Sequence, residues 1–354
     1  MAGGEPPVAT PTQIAELALR AEKDGYDSIW VPDHLIDIDG SMADPWTTLG
    51  YVSAVTRKLR FYTAVTDYQK VHPAKLAQVV ASLDELSRGR ITLGMGAGEK
   101  MNNAPFGIPW DDAPVRVEAL SEYMEVIRRL WRSNARSPVS FRGEHFSLKD
   151  AWIDQQTFTK PGPGICVGAM GSTLMLDFIG RHADGWLPPL MTPDFYRGRQ
   201  NIIDDAAKNA GRDPSSIERA YWLYFIVDQD GPKTLVPDFI RGMKAVIASL
   251  SPVIVEKEAG VRLRKMSLET NFQRLVVSKQ VVKELEEQAE AIPDSLVERM
   301  CAIGGAEEII SHIEAARAVG AEHFVLAATR GVPEENLRVL RDKVMPYFRE
   351  SRGG

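Results

Sequence analysis

The chain has 354 residues, 44% hydrophobic and 25% charged, a balance that excludes intrinsic disorder and fibrous repeats as descriptions of the whole. Against 48 acidic residues stand 42 lysines and arginines, and the net charge of −6 repels phosphate backbones, so a general nucleic-acid binder is excluded as well. Two cysteines, Cys166 and Cys301, are too few for a disulfide framework and too far apart for a CxxC metal site.

The chain opens MAGGEPPVATP, without a basic segment or an apolar run, so no secretory signal is expected. No stretch approaches 18 uninterrupted apolar residues, so a cytoplasmic protein without a membrane partner is expected. A helix is predicted over 11–24, with Thr10 as N-cap, Pro11 in the first turn, Gln13 closing a capping box and Gly25 ending it. Strands and helices then alternate. Strands are predicted at 26–31, 59–66, 91–97, 165–168, 184–188, 220–227 and 323–328. Helices are predicted at 45–56, 73–87, 115–133, 172–182, 193–211, 306–319 and 333–347.

Such alternation means βαβ units and a parallel sheet. Seven strands, plus one missing or degenerate in residues 1–9, is the count of a (β/α)8 TIM barrel. A doubly wound sheet would carry an early glycine fingerprint, and none is present. Two stretches break the rhythm. Residues 134–161 contain the hairpin-like Phe141-Arg-Gly-Glu-His-Phe146, and 247–304 are mixed, with a basic run from Arg262 to Lys265 and an amphipathic helix near 281–289. Both are expected as insertions in one domain spanning 1–354.

In such a barrel the loops after the strands form the active face. That rule selects Asp33, His34, Asp67, Gly98, Glu99, Lys100, Asn102, the run Ala169-Met170-Gly171-Ser172, Leu190, Thr329 and Arg330. A carboxylate beside an imidazole, as in Asp33-His34, can hold or transfer a proton near neutral pH, and equally can cap a strand end. The glycine-rich turn at 94–99 lets a ligand approach the backbone, but tight turns need glycine anyway. The 168–172 loop runs straight into a helix. It can hold a phosphate on its N–H groups or serve as a short connection capped by Ser172. No HExxH, Cys–His pair or G-x-S-x-G elbow occurs, so neither a metal site nor a serine hydrolase is expected.

Taken together, five motifs are more specific. Tyr26-Asp-Ser-Ile-Trp-Val-Pro-Asp-His34, Pro45-Trp-Thr-Thr-Leu-Gly50, Leu83-Asp-Glu-Leu-Ser-Arg-Gly-Arg90, Leu93-Gly-Met-Gly-Ala-Gly-Glu99 and Val167-Gly-Ala-Met-Gly171 with Ala183-Asp-Gly-Trp186 resemble the bacterial luciferase-like superfamily. The chain looks most like the branch that uses the deazaflavin coenzyme F420, which includes methylenetetrahydromethanopterin reductases and phthiodiolone ketoreductases. Ala64-Val-Thr-Asp67, His72-Pro73 and Asn103-Ala-Pro-Phe-Gly107 look closest to the ketoreductases.

The resemblance implies a usually dimeric barrel with its coenzyme at the C-terminal ends of the strands. It implies that Asp33 and His34 lie beside the deazaflavin ring, with Ala64-Val65 a bulge behind it that carries a non-prolyl cis peptide. Thr66 and Asp67 would edge the ring. Gly98, Glu99 and Asn102 would lie near it, with Glu99 a candidate proton donor. Gly168, Ala169, Met170, Gly171 and Ser172 would cradle the phosphate. The expected chemistry is hydride transfer from the ring carbon C5 to a carbonyl or methylene-pterin (iminium) carbon of a small-molecule substrate. The alternatives are an FMN-dependent monooxygenase of the same superfamily and a non-catalytic flavin-binding barrel. Residues that would grip a sugar phosphate have no clear match, and Leu187-Pro-Pro-Leu190 is apolar, which favours an apolar carbonyl or imine.

Overall fold

Local signals in the sequence set most elements to within a residue or two. The first helix is Pro11–Asp24, with the Thr10–Gln13 capping box formed and Gly25 in the left-handed conformation at its end. The helix Pro73–Ser87 is capped by His72, whose Nδ1 accepts the Ala74 N–H. The computed structural model describes residues 9–37, 42–169, 171–228, 235–250, 252–263, 274–327 and 334–350. The expected degenerate strand falls on residues 1–9, of which 1–8 lie outside the described residues, as does Met170.

The chain divides into two compact units. The first comprises residues 1–168 and 177–185. It contains strands β1 (Ser28–Val31), β2 (Arg60–Thr63), β3 (Thr66–Asp67), β4 (Ile91–Gly96) and, past a hairpin of β5 (Val139–Arg142) and β6 (Ser147–Ala151), β7 (Ile165–Gly168). β1 pairs in parallel with β2, β2 and β3 with β4, and β4 with β7. β4 and β7 are buried almost along their whole length, as parallel strands covered on both faces must be. Helices Pro45–Val55, Pro73–Ser87 and Ala113–Trp131 bury Leu49, Leu76, Val80, Leu120, Tyr123 and Ile127, and the strands bury Phe61, Leu93 and Met95. Within 134–161, where a hairpin-like segment was expected, β5 and β6 pair antiparallel. The turn between them is held by Glu122, whose carboxylate accepts the N–H groups of Glu144, His145 and Phe146.

The strand expected over 59–66 is instead two. Ala64 and Val65 leave the ladder between β2 and β3, joined by a cis peptide. Room for Val65 comes from two residues without side chains. A Cβ on Gly96 would stand 2.8 Å from Val65 Cγ2, and one on Gly168 would stand 3.1 Å from both Val65 methyls.

The second unit comprises residues 169–176 and 186–354. After the short β8 (Gly185–Leu187), the long strand β9 (Glu218–Val227) pairs in parallel with β10 (Ala302–Gly304) and β11 (His323–Ala327). Its core gathers Trp186, Tyr196, Ile203, Tyr221, Phe225, Met243, Ile247, Val297 and Ile309. The stretch 247–304, expected as mixed with an amphipathic helix near 281–289, contains that helix as Lys279–Ala289. It is built from the end of helix Leu235–Leu250, from Pro252–Ala259, Lys279–Ala289 and Asp294–Met300, and from β10, which is part of the parallel ladder. Three residues are too few to show a strand period, which is why β10 was not legible. The final helix is interrupted by a π-helical segment, Leu340–Val344. Among the described residues no helix is long and apolar enough to cross a membrane.

Candidate active site

The end of β3 and the segments that follow β1 and β4 bring Asp33, His34, Asp67, Glu99, Asn102 and Asn103 together in the first unit. The organising residue is Asn102, which is fully buried. Its Oδ1 accepts the backbone N–H groups of Leu35 and Ile36, at 2.7 and 3.1 Å. That fixes the amide, so its NH2 faces Glu99 Oε2 at 3.0 Å and His34 Nδ1 at 2.8 Å.

His34 Nδ1 also lies 3.2 Å from Glu99 Oε2. The ring nitrogen therefore has two competing partners. It accepts from Asn102 when the ring is neutral, and donates to Glu99 when the ring is charged. Burial pushes the imidazole toward neutrality, but the Glu99 hydrogen bond and charge, with the charges of Asp37 and Asp67, outweigh it and raise the pKa to about 9. The charged ring, paired with Glu99, is the state these carboxylates select.

Asp67 closes the other side. Its Oδ2 accepts the Glu99 backbone N–H at 3.2 Å and the Asn103 amide at 3.4 Å. Burial, and then the Glu99 charge, hold its carboxyl above the usual carboxylate range, against Lys70 and His34. Asp33 is engaged by Lys70, whose Nζ lies 2.8 Å from Asp33 Oδ1 and also donates to the Asp33 carbonyl. Two buried acceptors at this cluster, Thr66 Oγ1 and Asn103 Oδ1, have no hydrogen-bond partner among the described residues. Native interiors rarely leave such atoms unpaired, so they mark a place where a polar ligand edge fits. Gly98 and Glu99 carry the turn from β4, and Gly98 O accepts the Trp110 indole N–H at 3.4 Å.

The loop after β7 divides in its roles. Gly168 ends the strand beside Val65. Ala169 is buried, with its N–H engaged by Leu187 O at 3.2 Å and its carbonyl by Trp186 Nε1 at 3.3 Å. This corrects the expectation that Ala169 would offer its N–H to a phosphate, because the β-type pairing takes that donor. Ser172 caps the helix Thr173–His182, its Oγ accepting the Met175 N–H at 3.4 Å. Gly171 has φ +93°, and a Cβ built on it would stand 3.6 Å from Arg199 Nε. Arg199 thus stands beside the turn that leads into this helix, its guanidinium 4.4 Å from the centre of the Phe195 ring, a cation that suits a nearby anion. Arg199 and Lys70 were not singled out from the sequence, and Asn103 stood out only as the first residue of the Asn103–Gly107 motif, not as a site residue. None lies in the turn that directly follows a predicted strand, and only tertiary contacts give them a role.

The sequence profile described as luciferase-like monooxygenase matches residues 1–323. The chain is 29% identical over 356 residues to phthiodiolone/phenolphthiodiolone dimycocerosates ketoreductase of Mycobacterium tuberculosis, covering 93% of this chain and 90% of that one. It is 32% identical over 216 residues to an F420-dependent glucose-6-phosphate dehydrogenase of Microbacterium testaceum, covering 59% and 62%. Among solved structures it superposes on an F420-dependent secondary alcohol dehydrogenase in complex with an F420–acetone adduct, with TM-score 0.78, 26% identity and coverage of 96% and 95%. The fold class expected from the sequence, a luciferase-like (β/α)8 barrel, is that of these proteins.

Proposed function

The chain belongs to the luciferase-like monooxygenase family, and within it we propose an oxidoreductase that uses coenzyme F420 to move a hydride to or from a carbonyl or methylene-pterin carbon of an organic substrate. The observation that carries this reading is the largely buried His34–Glu99 pair oriented by Asn102. When bound, the deazaflavin supplies a hydride at C5 and exchanges electrons in pairs.

The chain's own residues would do the rest. Val65, seated between Gly96 and Gly168, would back the ring. Thr66 and Asp67 would meet its polar edge, and Gly98 its neighbouring side. Within the second unit, the turn Gly171-Ser172 with Arg199 beside it is a place that suits an anion. Glu99 keeps a proton on His34, and the pair places an acid at the site where a carbonyl oxygen gains charge. Asn102, engaged on all sides, serves the site by holding these two groups rather than by touching the coenzyme. The same pair returns to its charged state by taking up a proton from water, or accepts one from an alcohol in the reverse direction.

The decisive experiment is a fluorescence titration of the purified protein with F420 and, separately, FMN. Binding of F420 in clear preference to FMN is expected, followed by coenzyme turnover with simple ketones or secondary alcohols. Preference for FMN would reassign the chain to oxygen-activating chemistry, and binding of neither would remove the reading.

A further inference from the structure

We propose that Lys70 is a positioning residue of this site: it acts through Asp33 to hold the turn that carries His34, and it is the counter-charge to the Asp33 and Asp67 carboxyls. The proposal deepens the reading of this cluster as the coenzyme site and names a residue that reading does not use.

The geometry is specific. Lys70 ends the 3-10 turn Tyr68–Lys70, directly after β3, and reaches back to the loop after β1. Its ammonium is bound twice to one residue, to the Asp33 carboxylate at 2.8 Å and to the Asp33 carbonyl. Gripping both side chain and main chain fixes the peptide that leads into His34, which a surface ion pair would not do. Both side chains are largely buried, at 10% and 13% exposure. A lysine this far out of water is costly to place unless its charge is matched, so it is an unusual choice for mere packing.

The charges around the site show what it balances. Facing His34 are Glu99, Asp37 and Asp67. Facing Asp67 are Glu99, Lys70 and His34, with Tyr68 next along the chain and itself facing Asp111 and Arg116. Facing Asp33 are Lys70 and the buried Tyr123 phenol from the helix Ala113–Trp131. In these sets Lys70 is the lysine set against several carboxyls. Removing its charge leaves Asp33 without its ion-pair partner and keeps the proton on Asp67 to higher pH.

The test compares wild type, Lys70→Met and Lys70→Arg. The His34 ring resonances are followed by NMR across pH without coenzyme, and F420 affinity and melting temperature are measured in parallel. His34 reports its own titration and, as a lower inflection, the ionisation of Asp67 beside it. In Lys70→Met the lower inflection should move up by about one pH unit or more, the usual effect of removing an opposite charge near a carboxyl. F420 affinity should fall about tenfold, and Lys70→Arg should restore both.

An unchanged inflection in a folded Lys70→Met protein would overturn the proposal. So would a Lys70→Arg variant as impaired as Lys70→Met in inflection and affinity, since that would leave only a packing role. If Lys70→Met does not fold, Asp33→Asn decides: it should leave F420 affinity reduced with Lys70 intact, and unchanged affinity would overturn the role through Asp33. Wild-type protein that fails to bind F420 would count against the coenzyme reading, while the His34 titration would still decide the role of Lys70.

Discussion

At the scale of single residues, the site turns on one imidazole. His34 is raised from an ordinary 6.5 to about 9, despite burial, because Glu99, Asp37 and Asp67 surround it. A folded value above the unfolded one means that the pairing stabilises the fold in full below about pH 6.5, and that this contribution is lost as pH rises through about 9. Glu99→Gln removes the hydrogen-bonded charge. The His34 midpoint, read by NMR, should fall clearly below that of wild type, and turnover of a ketone should drop by about 10²- to 10⁴-fold, the usual worth of a positioned acid. F420 affinity should stay within a few-fold. Unchanged turnover would remove the pair from the chemistry. Asp33, His34 and Glu99 were legible because each directly follows a predicted strand. Asn102 stood out only by its place in the loop of Glu99, and that it orients His34 and Glu99 depends on Leu35 and Ile36, 67 and 66 residues away in sequence.

At the scale of elements, Arg90 shows how strand ends are held in place. From the turn before β4 its guanidinium donates to Ser87 O, Thr56 Oγ1, Leu59 O and Ser53 O, all at 2.8–2.9 Å, and lies 5.0 Å from the centre of the buried Phe61 ring. It thereby joins the ends of helices Pro45–Val55 and Pro73–Ser87 to the start of β2. Arg90→Met should leave several carbonyls short of a donor and cost about 2–4 kcal/mol, read as a lowered urea midpoint with unchanged slope. A loss below about 0.5 kcal/mol would show that water replaces the guanidinium. The motif Ser-Arg-Gly-Arg90 marked a helix end in the sequence, and Arg88 does adopt the left-handed conformation there. The fork on Arg90 depends on residues more than thirty positions earlier, and no local pattern announces it.

At the scale of the whole molecule, the family resemblance implies a homodimer, and we carry that as a proposal. Light scattering on a sizing column should give about twice the 39.2 kDa chain mass at micromolar concentration. A monomer mass at all concentrations would remove it. The surface of Pro11–Asp24 and Pro45–Val55 exposes Leu17, Leu19 and Tyr51, apolar side chains that such an assembly can cover.

Period and punctuation in the sequence determined the parallel strand–helix alternation, most element boundaries and the loops that carry Asp33, His34, Asp67 and Glu99. These depend on neighbours a few residues apart, which a linear chain displays directly. Tertiary structure alone decided that β10 lies in the ladder, that Ala169 is engaged elsewhere and that Arg199 stands beside Gly171. It also decided that Lys70 meets Asp33 and that His34 is held charged. Those facts are sums over groups distant in sequence, in an interior where burial and charge act through space, and a chain read residue by residue does not contain the distances.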